Sequence, residues 1–355
     1  MVIRSLKASR FRCLADAELE FDPRYNLIYG QNASGKTSLL EALAYLGRGK
    51  SFRAAPVQAV VQHGERDFVV FGRVLNRNRE VSVGVRNGRE SLEVRIDGDS
   101  GKGIAELADI LPLQVIDPEV HSLVSGGPEQ RRRYLDWMVF HVEPSYLVAW
   151  RRFRRVLKQR NSLLKQGANR RDLASWDEEF VTLAAEIHRI RRAVLERALP
   201  QIEVIAAQLL EDEVALSYRP GWRVGSSLEE ALDASRERDQ QLGSSQVGPH
   251  RAELRIDASD RQAKRLVSRG QQKLLASALI LGASDVVQTA MERPILLLMD
   301  DPAAELDRES LARILEGAVG LGTQLIVTSL DPELIRLPSA PRLFHVEQGL
   351  VKAMS

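Results

Sequence analysis

The sequence predicts an α/β fold, a mixed sheet with an antiparallel β subdomain, into which a helical subdomain is inserted. Three observations predict this class. A short apolar run at 26–30 leads into a glycine loop and a helix-spaced segment. Three strand-like runs follow between residues 67 and 97. From about 128 to 211, by contrast, the chain reads almost entirely as helix.

The N-terminal elements follow from local pattern. Residues 2–8 and 17–21 alternate apolar and polar side chains, which predicts two half-buried strands. The helix after the glycine loop is predicted to stop at Gly47. Asn87 and Gly88 lie between the second and third of the later strands, and this pair predicts a tight hairpin turn.

Helical runs fill the middle of the chain and cover residues 128–141, 144–167, 176–212 and 227–241. Pro144, Gly167 and Pro200 are predicted to bend or break them. Strand character returns at 252–257. Further elements follow as a helix from Gly270, a strand at 294–299, a helix near 308–319 and a strand at 323–329. We therefore predict a discontinuous head of residues 1–112 and 246–355, interrupted by a helical insertion of residues 113–245.

Composition limits the function classes. The chain has 355 residues and a net charge of only +2, so a nucleic-acid surface would have to be local. Its single cysteine, Cys13, excludes an internal disulfide and fits a reducing cytoplasm. The apolar run at 295–299 is too short to span a bilayer, so we expect a cytoplasmic protein without a membrane partner.

The glycine loop has the frame Gly30-x-x-x-x-Gly35-Lys36-Thr37, which is typical of a phosphate-binding loop for ATP or GTP. Its small residues let backbone N–H groups close around phosphates at the N-terminus of a helix. Lys36 can reach the β- and γ-phosphates, and Thr37 can hold Mg²⁺. The predicted nucleotide-binding residues are Gly30, Gln31, Asn32, Ala33, Ser34, Gly35, Lys36, Thr37 and Ser38.

Two acids follow the apolar strand at 294–299, where parallel strands of α/β folds place their ligands. Asp300 is the expected Mg²⁺ partner, directly or through water. Asp301 lies where a base would polarise the attacking water. We therefore predict that Lys36, Asp300 and Asp301 are catalytic and that Thr37 and Asp300 bind the metal.

A third motif, Ser268-Arg269-Gly270-Gln271, precedes the helix that leads to this strand. Its serine hydroxyl and backbone N–H groups would lie at the positive end of the helix. Serine caps are common, so the motif gains meaning only from its position before the two acids. The segment "AAELD" at 303–307 follows those acids directly.

The order of these motifs resembles the ABC-type P-loop ATPase head, and the chain as a whole resembles the RecF family of bacterial recombination and repair proteins. The segments that carry this likeness are "GKTSLLEALAYLGRGKSFR", "GGPEQRRRYLDW", "WRRFRRVLKQRNSLL" and "VGPHRAEL". The resemblance covers almost the whole chain.

The resemblance implies an ATP-dependent homodimer in which Lys36 and Thr37 of one copy face Ser268 and Gly270 of the other. It implies that Gln114 senses the γ-phosphate and Mg²⁺, which adds it to the catalytic set. The loop with Glu305 and Asp307 would cross the dimer interface.

Two departures from the wider ABC pattern concern hydrolysis. Asp301 stands in place of a glutamate, and Thr328 and Ser329 stand where transporters carry a histidine. We expect a weak, DNA-stimulated ATPase in which slow hydrolysis acts as a release switch.

The insertion is locally basic. Residues 128–171 contain twelve Lys or Arg and three acids, a local charge of +9. Such a surface suits a phosphate backbone, but charge runs also simply solvate helix faces, and from the residues alone both interpretations stay open. The family likeness favours DNA, for which the candidates are Arg131, Arg132, Arg151, Arg152, Arg154, Arg155 and Lys158.

By resemblance, the protein would bind double-stranded, gapped or single-strand junction DNA in recombinational repair and replication restart, and with RecO and RecR it would promote RecA loading. One alternative is a structural DNA tether like the SMC proteins, which need coiled coils of hundreds of residues. Only about 230 residues separate Gly35 from Ser268, including a whole subdomain. The other alternative is a transporter-type ATPase subunit, which the basic helices and the missing histidine do not favour.

Overall fold

The computed structural model describes residues 1–53, 55–77, 79–88, 91–210, 213–258, 261–263, 268–304 and 306–354. The strands in chain order are β1 (Val2–Ser9), β2 (Ala17–Glu20), β3 (Tyr25–Tyr29), β4 (Asp67–Asn76), β5 (Arg79–Gly88), β6 (Glu93–Ile96), β7 (Leu113–Ile116), β8 (Val214–Arg219), β9 (Glu253–Ala258), β10 (Arg261–Gln262), β11 (Leu296–Met299), β12 (Gln324–Ser329), β13 (Arg342–Glu347) and β14 (Leu350–Ala353). The helices are α1 (Lys36–Arg48), α2 (Ile104–Ile110), α3 (Ser122–Ser125), α4 (Pro128–Val142), α5 (Tyr146–Lys165), α6 (Arg170–Leu209), α7 (Leu228–Leu242), α8 (Arg269–Met291) and α9 (Arg308–Gly320).

The chain divides into two compact units. Unit 1 comprises Met1–Val120 and Met291–Ser355, and unit 2 comprises His121–Ala290. These units differ in extent from the predicted domains, because residues 113–120 belong to unit 1 and residues 246–290 to unit 2. Strand β9 pairs with β8 in that unit, and the Tyr134 hydroxyl of α4 donates to the Leu279 carbonyl of α8 at 3.0 Å.

Within the described part of unit 1, six strands form a sheet in the order β14-β13-β3-β12-β11-β7. All neighbours in it are parallel except the β13–β14 pair. The carboxyl ends of β3, β12, β11 and β7 therefore meet at one edge of the sheet, and the segments that follow these strands are brought together there.

The other described sheet of unit 1 is antiparallel and has five strands in the order β2-β1-β4-β5-β6. Phe11, Tyr45 and Phe68 pack edge to face, which joins this sheet to α1. The predicted hairpin is present, because β5 and β6 pair antiparallel with Arg86 opposite Glu93, but Asn87 and Gly88 do not form a tight two-residue turn. These residues pair with Phe68 and Asp67 at the end of β5, and a β-carbon on Gly88 would press against the backbone there.

Unit 2 packs its helices around an aromatic and apolar core. Phe153 of α5 and Phe180 of α6 are fully buried, with ring centroids 5.0 Å apart, as expected for core residues at helical spacing. The helix α6 continues through Pro200, so this proline does not break it. Strand β8, the β13–β14 hairpin and the helix α2 were not predicted from the sequence pattern.

Helix α8 is the most apolar long helix among the described residues. By length and composition alone it could cross a membrane, which the shorter apolar run at 295–299 could not. However, 72% of its apolar window is buried inside the protein. This burial is typical of a core helix.

Among the described residues of unit 2, two arginines are fully buried and hold its elements together. Arg160 of α5 donates to Asp177 at 2.7 Å, to Asp239 at 2.8 Å and to the Ser245 hydroxyl at 2.7 Å. Arg191 of α6 donates to the Pro249 carbonyl at 2.7 Å and pairs with Asp136. Both side chains connect helices to the segment between α7 and β9.

We expect Arg160→Met to lower the free energy of unfolding by about 3–5 kcal/mol, because it leaves the buried Asp239 carboxylate without its cation. The control is Arg155→Met on the exposed side of the same helix, which should change stability by no more than about 0.5 kcal/mol. Urea unfolding followed by circular dichroism measures both. Equal effects of the two substitutions would contradict a structural role for Arg160.

Candidate functional site

The glycine loop connects β3 to α1 at the carboxyl edge of the parallel sheet. Ala33 and Gly35 both have positive φ, and Gly35 is the N-cap of α1. A β-carbon on Gly30 would collide with the carbonyl oxygen of Val346 in β13. The Gly349 N–H donates to the Ser34 carbonyl at 2.8 Å, so the β13–β14 hairpin supports the loop from one side.

Lys36 occupies the first turn of α1 and is buried. Its ammonium donates to the carbonyls of Gly30 at 2.7 Å and Gln31 at 3.1 Å. Burial lowers the pKa of Lys36, and the nearby Asp301 and Asp300 carboxylates oppose that change. The predicted lysine and the two predicted acids therefore lie within electrostatic reach of one another.

Asp300 joins three elements through one carboxylate oxygen. The hydroxyls of Thr37 in α1 and Thr328 in β12 both donate to its Oδ1 at 2.9 Å. Asp300 is buried, and burial raises its pKa while these two hydrogen bonds oppose the shift. The arrangement brings the two predicted metal ligands, Thr37 and Asp300, into direct contact.

Asp301 follows with a left-handed backbone conformation, φ 47°. Its N–H donates to the Thr328 hydroxyl at 2.8 Å. A non-glycine residue in this region costs on the order of 1 kcal/mol, so the surroundings must hold the turn in place. Thr328 thus touches both acids, and sequence reasoning had noted it only as the residue that replaces a histidine.

Gln114 lies on β7, opposite Leu297 of β11, and only 7% of it is exposed. The Arg48 guanidinium donates to Gln114 Oε1 at 3.1 Å and to the Leu113 carbonyl at 3.2 Å. Burial lowers the pKa of Arg48 to about 10, and Asp117 opposes that shift. Burial and the Asp300 charge raise the pKa of Asp117 to about 6.

The serine motif of unit 2 forms a reciprocal cap on α8. The Gln271 N–H donates to the Ser268 hydroxyl at 3.3 Å, and the Ser268 N–H donates to Gln271 Oε1 at 2.8 Å. Ser268, Arg269, Gly270 and Gln271 are all exposed. This helix end is therefore open to solvent on its own unit.

Asp307 is the N-cap of α9. Its carboxylate accepts from the N–H groups of Glu309 at 3.0 Å and Ser310 at 2.9 Å, and from the Ser310 hydroxyl at 2.8 Å. Hydrogen bonds from Ser310 lower the pKa of Asp307. Glu305, predicted for the same loop, lies outside the described residues.

Two of the predicted DNA-binding arginines are engaged inside unit 2. Arg131 is buried, pairs with both carboxylate oxygens of Glu253 at 2.7 and 3.0 Å, and donates to the Gly126 carbonyl at 2.9 Å. Arg132 donates to the Ala252 carbonyl at 2.8 Å. Both arginines make these contacts because β9 and the residue before it pack against α4, and the sequence pattern does not reveal that packing.

The other candidates form an exposed face of α5. Buried residues alternate with exposed cations along this helix, which is strongly amphipathic. The exposed cations are Arg151, Arg152, Arg154, Arg155 and Lys158. Arg152 pairs with Glu179 at 3.0 Å, at a position where both side chains are exposed. Only Arg152 of the five is in an ion pair that the described residues display.

The residues of the glycine loop fit a nucleoside triphosphate. The Ser34 hydroxyl is buried with no hydrogen-bond partner among the described residues, inside a loop that opens at the N-terminus of α1. An anion at this point would meet backbone N–H groups, the helix dipole and Lys36. The donor set is that of a phosphate site.

Known proteins match this chain over almost its full length. A family model described as the RecF/RecN/SMC N-terminal domain matches residues 2–351. Proteins named DNA replication and repair protein RecF from Pseudomonas aeruginosa (strain LESB58) and Pseudomonas putida are each 40% identical over 362 residues, 99% of this chain and 97% and 98% of theirs.

The chain belongs to the RecF family.

Solved structures agree with this assignment. A structure of the recombination mediator protein RecF with ATP, in the RecFOR pathway, matches with a TM-score of 0.90 and 25% identity, covering 100% of this chain and 98% of that one. An SMC head bound to the C-winged helix domain of ScpA has a TM-score of 0.62 at 16% identity, which is a likeness of fold alone. The predicted fold class, an ABC-type ATPase head with an inserted helical part, is confirmed.

Sequence reasoning missed Thr328 and Asp117 beside the paired acids, and Arg48 as the partner of Gln114. Asp117 carried a usable signal, because it directly follows an apolar strand just as Asp300 does. Arg48 carried none, because its role depends on the distance between the end of α1 and β7. Thr328 could be assigned only once β12 was known to lie beside β11.

Asp117 predicts a pH-dependent stability. Its pKa is raised from its ordinary 3.8 to about 6, so the folded protein binds this proton more tightly than the unfolded chain does. Stability is then lost as pH rises from about 4 to about 6, and above that range the charged carboxylate costs about 3 kcal/mol. Asp117→Asn should therefore be more stable than wild type by up to about 3 kcal/mol at pH 8.

The gain should disappear at pH 4, where the wild-type carboxyl is also neutral. Urea unfolding of the nucleotide-free, Mg²⁺-free protein across this pH range measures it. A stability difference that stays constant with pH would show that Asp117 titrates normally.

Proposed function

We propose that this RecF-family protein is an ATP-dependent DNA-binding protein of recombinational repair and replication restart. ATP joins two copies on DNA, and slow hydrolysis releases them. The observation that carries this proposal is the contact of Thr37 and Thr328 with Asp300. This contact joins the phosphate-binding segment to the paired acids, and a switch that responds to the bound nucleotide requires such a connection.

For ATP binding, the loop from Gly30 to Ser38 would surround the phosphates with backbone N–H groups, and Lys36 would neutralise the β- and γ-phosphates. Thr37 and Asp300 would hold Mg²⁺, for which a hydroxyl and a carboxylate oxygen are suitable ligands. The metal supplies charge neutralisation on the transferred phosphate. Gln114, assigned to this site by resemblance, contacts Arg48 at the opposite end of α1 from Lys36 and Thr37, so it is left out of this proposal.

For hydrolysis, Asp301 would accept the proton of the attacking water. Its side chain is one methylene shorter than that of a glutamate, and its N–H is held by Thr328. A neutral threonine in place of the switch histidine gives the site no second base. Both features favour a weak ATPase, which suits a slow release switch better than rapid continuous turnover.

For dimerisation, Ser268 and Gly270 would contact the γ-phosphate bound by the partner copy. The exposed and already capped end of α8 supports this role. The interface would be two-fold, so each dimer would contain two composite sites. The loop with Glu305 and Asp307 would lie at the same interface.

For DNA binding, we assign the exposed face of α5, which carries Arg151, Arg152, Arg154, Arg155 and Lys158. Cations that face solvent can exchange water for phosphate oxygens without breaking internal contacts. Arg131 and Arg132 are left out of this surface, because their guanidinium groups serve Glu253 and backbone carbonyls.

The partners are proposed from the relatives. A structural match belongs to the RecFOR pathway, so we propose RecR and RecO as partners, RecA loading on gapped or junction DNA as the outcome, and the cytoplasm as the location. The SMC-like tether is the weaker alternative. The longest described helix, α6, has 40 residues and would span about 60 Å, far short of a tethering arm. Nothing among the described features favours a transporter subunit.

Complementation tests the composite site. Lys36→Met removes the loop cation, and Ser268→Arg blocks the partner's motif, so each variant alone should lose ATP turnover. Mixed in equal amounts, half of the dimers would carry one site with both changes and one intact site. About a quarter of wild-type turnover should therefore return.

The measurement is phosphate release with saturating DNA at several mixing ratios. The control is the mixture of Lys36→Met with Lys36→Ala, in which no intact site can form and no turnover should return. Absence of recovery in the first mixture, with folded variants that bind ATP, would argue against a site shared by two copies.

A charge-matched pair of triple variants tests the DNA surface. Changing Arg151, Arg154 and Arg155 to Ala should weaken binding of gapped duplex DNA and reduce the slope of log K against log salt by about 0.9 for each lost phosphate contact. Changing Arg192, Arg197 and Arg238 to Ala removes the same charge from exposed positions on α6 and α7 and should leave that slope unchanged. Fluorescence anisotropy from 50 to 300 mM salt measures both, and equal slopes would refute the assignment of α5.

A further inference from the structure

Thr328 lies near the end of β12 and is fully buried beside the two acids. The last paired residues of β11 and β12 are Met299 and Val327, so the parallel register brings Asp300 and Thr328 next to each other. The Thr328 hydroxyl donates to Asp300 Oδ1 at 2.9 Å and accepts from the Asp301 N–H at 2.8 Å. One side chain therefore contacts both acids of the candidate site.

The chemistry of these groups fixes the direction of both hydrogen bonds. A backbone N–H can only donate and an ionised carboxylate can only accept, whereas a hydroxyl has one proton and two lone pairs. Thr328 must therefore accept from Asp301, and its single proton is left for Asp300. The β-branched side chain is stiff at χ1, and its burial keeps bulk water from competing for the hydroxyl.

The hydroxyls that bind Asp300 leave its second oxygen available. Thr37 also donates to Oδ1, at 2.9 Å, and no hydrogen bond from the part of the chain that the structure describes reaches Oδ2. The terminal torsion of an aspartate is otherwise broad. Two donors on one oxygen, from two different elements, restrict that torsion, so the same oxygen stays available to a cation.

Thr328 also supports the turn that carries Asp301. The φ of Asp301 is 47°, in the left-handed region, where a non-glycine residue persists only if its surroundings hold it. The hydrogen bond to Thr328 ties this turn to β12, and the Asp300 N–H donates to the Ile116 carbonyl of β7 at 2.9 Å. The two acids are therefore held from both strands that neighbour β11.

We propose that Thr328 is a positioning residue for the two acids. Its hydroxyl keeps Asp300 Oδ2 available for Mg²⁺ and holds the turn from which Asp301 accepts the proton of water. The roles of both acids in ATP hydrolysis are those of the proposed function, on which this inference rests. Without the hydroxyl, the Asp300 carboxylate turns more freely and the productive geometry is populated less often.

The first test measures metal binding without turnover. Mn²⁺ is titrated into the complex of each protein with a non-hydrolysable ATP analogue, and binding is followed by electron paramagnetic resonance. Thr328→Val keeps the shape of the side chain and removes the hydroxyl, so the Kd for Mn²⁺ should rise about tenfold, as is typical when a group that orients a metal ligand is lost. Thr328→Ser keeps the hydroxyl and should recover most of this affinity.

The second test measures ATP turnover. Thr328→Val should lower kcat roughly 10- to 100-fold even at saturating Mg²⁺, because the turn at Asp301 loses its support. The KM for ATP should change little, because binding by the glycine loop is untouched. In EDTA, fluorescent mant-ATP should bind Thr328→Val and wild type equally, which shows directly that the loop is intact.

Thr323→Val is the matched control. This threonine is also buried, directly precedes β12, and donates its hydroxyl proton to the Ile295 carbonyl at the opposite end of the strand. It should lower stability in urea as Thr328→Val does, but leave the Kd for Mn²⁺ and kcat unchanged. If Thr328→Val does not fold, Thr328→Ala takes its place in both tests.

Two outcomes would overturn the inference alone. One is a wild-type Kd for Mn²⁺ and a wild-type kcat without the Thr328 hydroxyl. The other is an equal loss in Thr323→Val, which would show that only the stability of the sheet matters. A wild type without ATP turnover would instead overturn the proposed function, and the Mn²⁺ titration would still report on Thr328.

Discussion

The site is organised around a single carboxylate oxygen. Asp300 Oδ1, directly after β11, accepts hydrogen bonds from Thr37 of α1 and Thr328 of β12. A buried carboxylate is stable only when its lone pairs are satisfied, so the two threonines are as necessary as the acid. Everything else at this edge of the sheet, including the loop, the lysine and the left-handed turn at Asp301, is placed relative to that junction.

Much of the head could be predicted because its motifs are local. The loop from Gly30 to Thr37 and the acids after β11 are read directly from short patterns whose backbone requirements admit few residue types. What could not be predicted depends on pairing between distant strands. Thr328 and Arg48 acquire their roles only when β12 lies beside β11 and α1 ends beside β7. The hairpin at Asn87–Gly88 has a longer connection than expected for a similar reason, since pairing with β4 extends β5 through these two residues.

The basic helices contain two kinds of arginine, buried and exposed, which the sequence does not distinguish. In the sequence, the arginines of α4 and α5 form one charge cluster. In the structure, Arg131 is itself buried and pairs with Glu253, and Arg160 pairs with the buried Asp239, whereas Arg154 and Arg155 face solvent. Burial decides between them, and burial here depends on where β9 and α7 return in unit 2. The net charge of this cluster is therefore larger than the charge on its exposed side chains, which are the ones that a nucleic acid could contact.

The reciprocal cap at Ser268 and Gln271 has a consequence for the rate at which the proposed dimer would form. Each of these residues satisfies the backbone N–H of the other, so the start of α8 needs no outside partner to be ordered. The N–H groups of Arg269 and Gly270, which the cap does not use, already point along the helix axis, and Gly270 has no side chain to obstruct them. A second copy would therefore meet an N-terminal end of α8 that is already ordered. Its docking would then be limited by diffusion and orientation, with no local folding step to delay it.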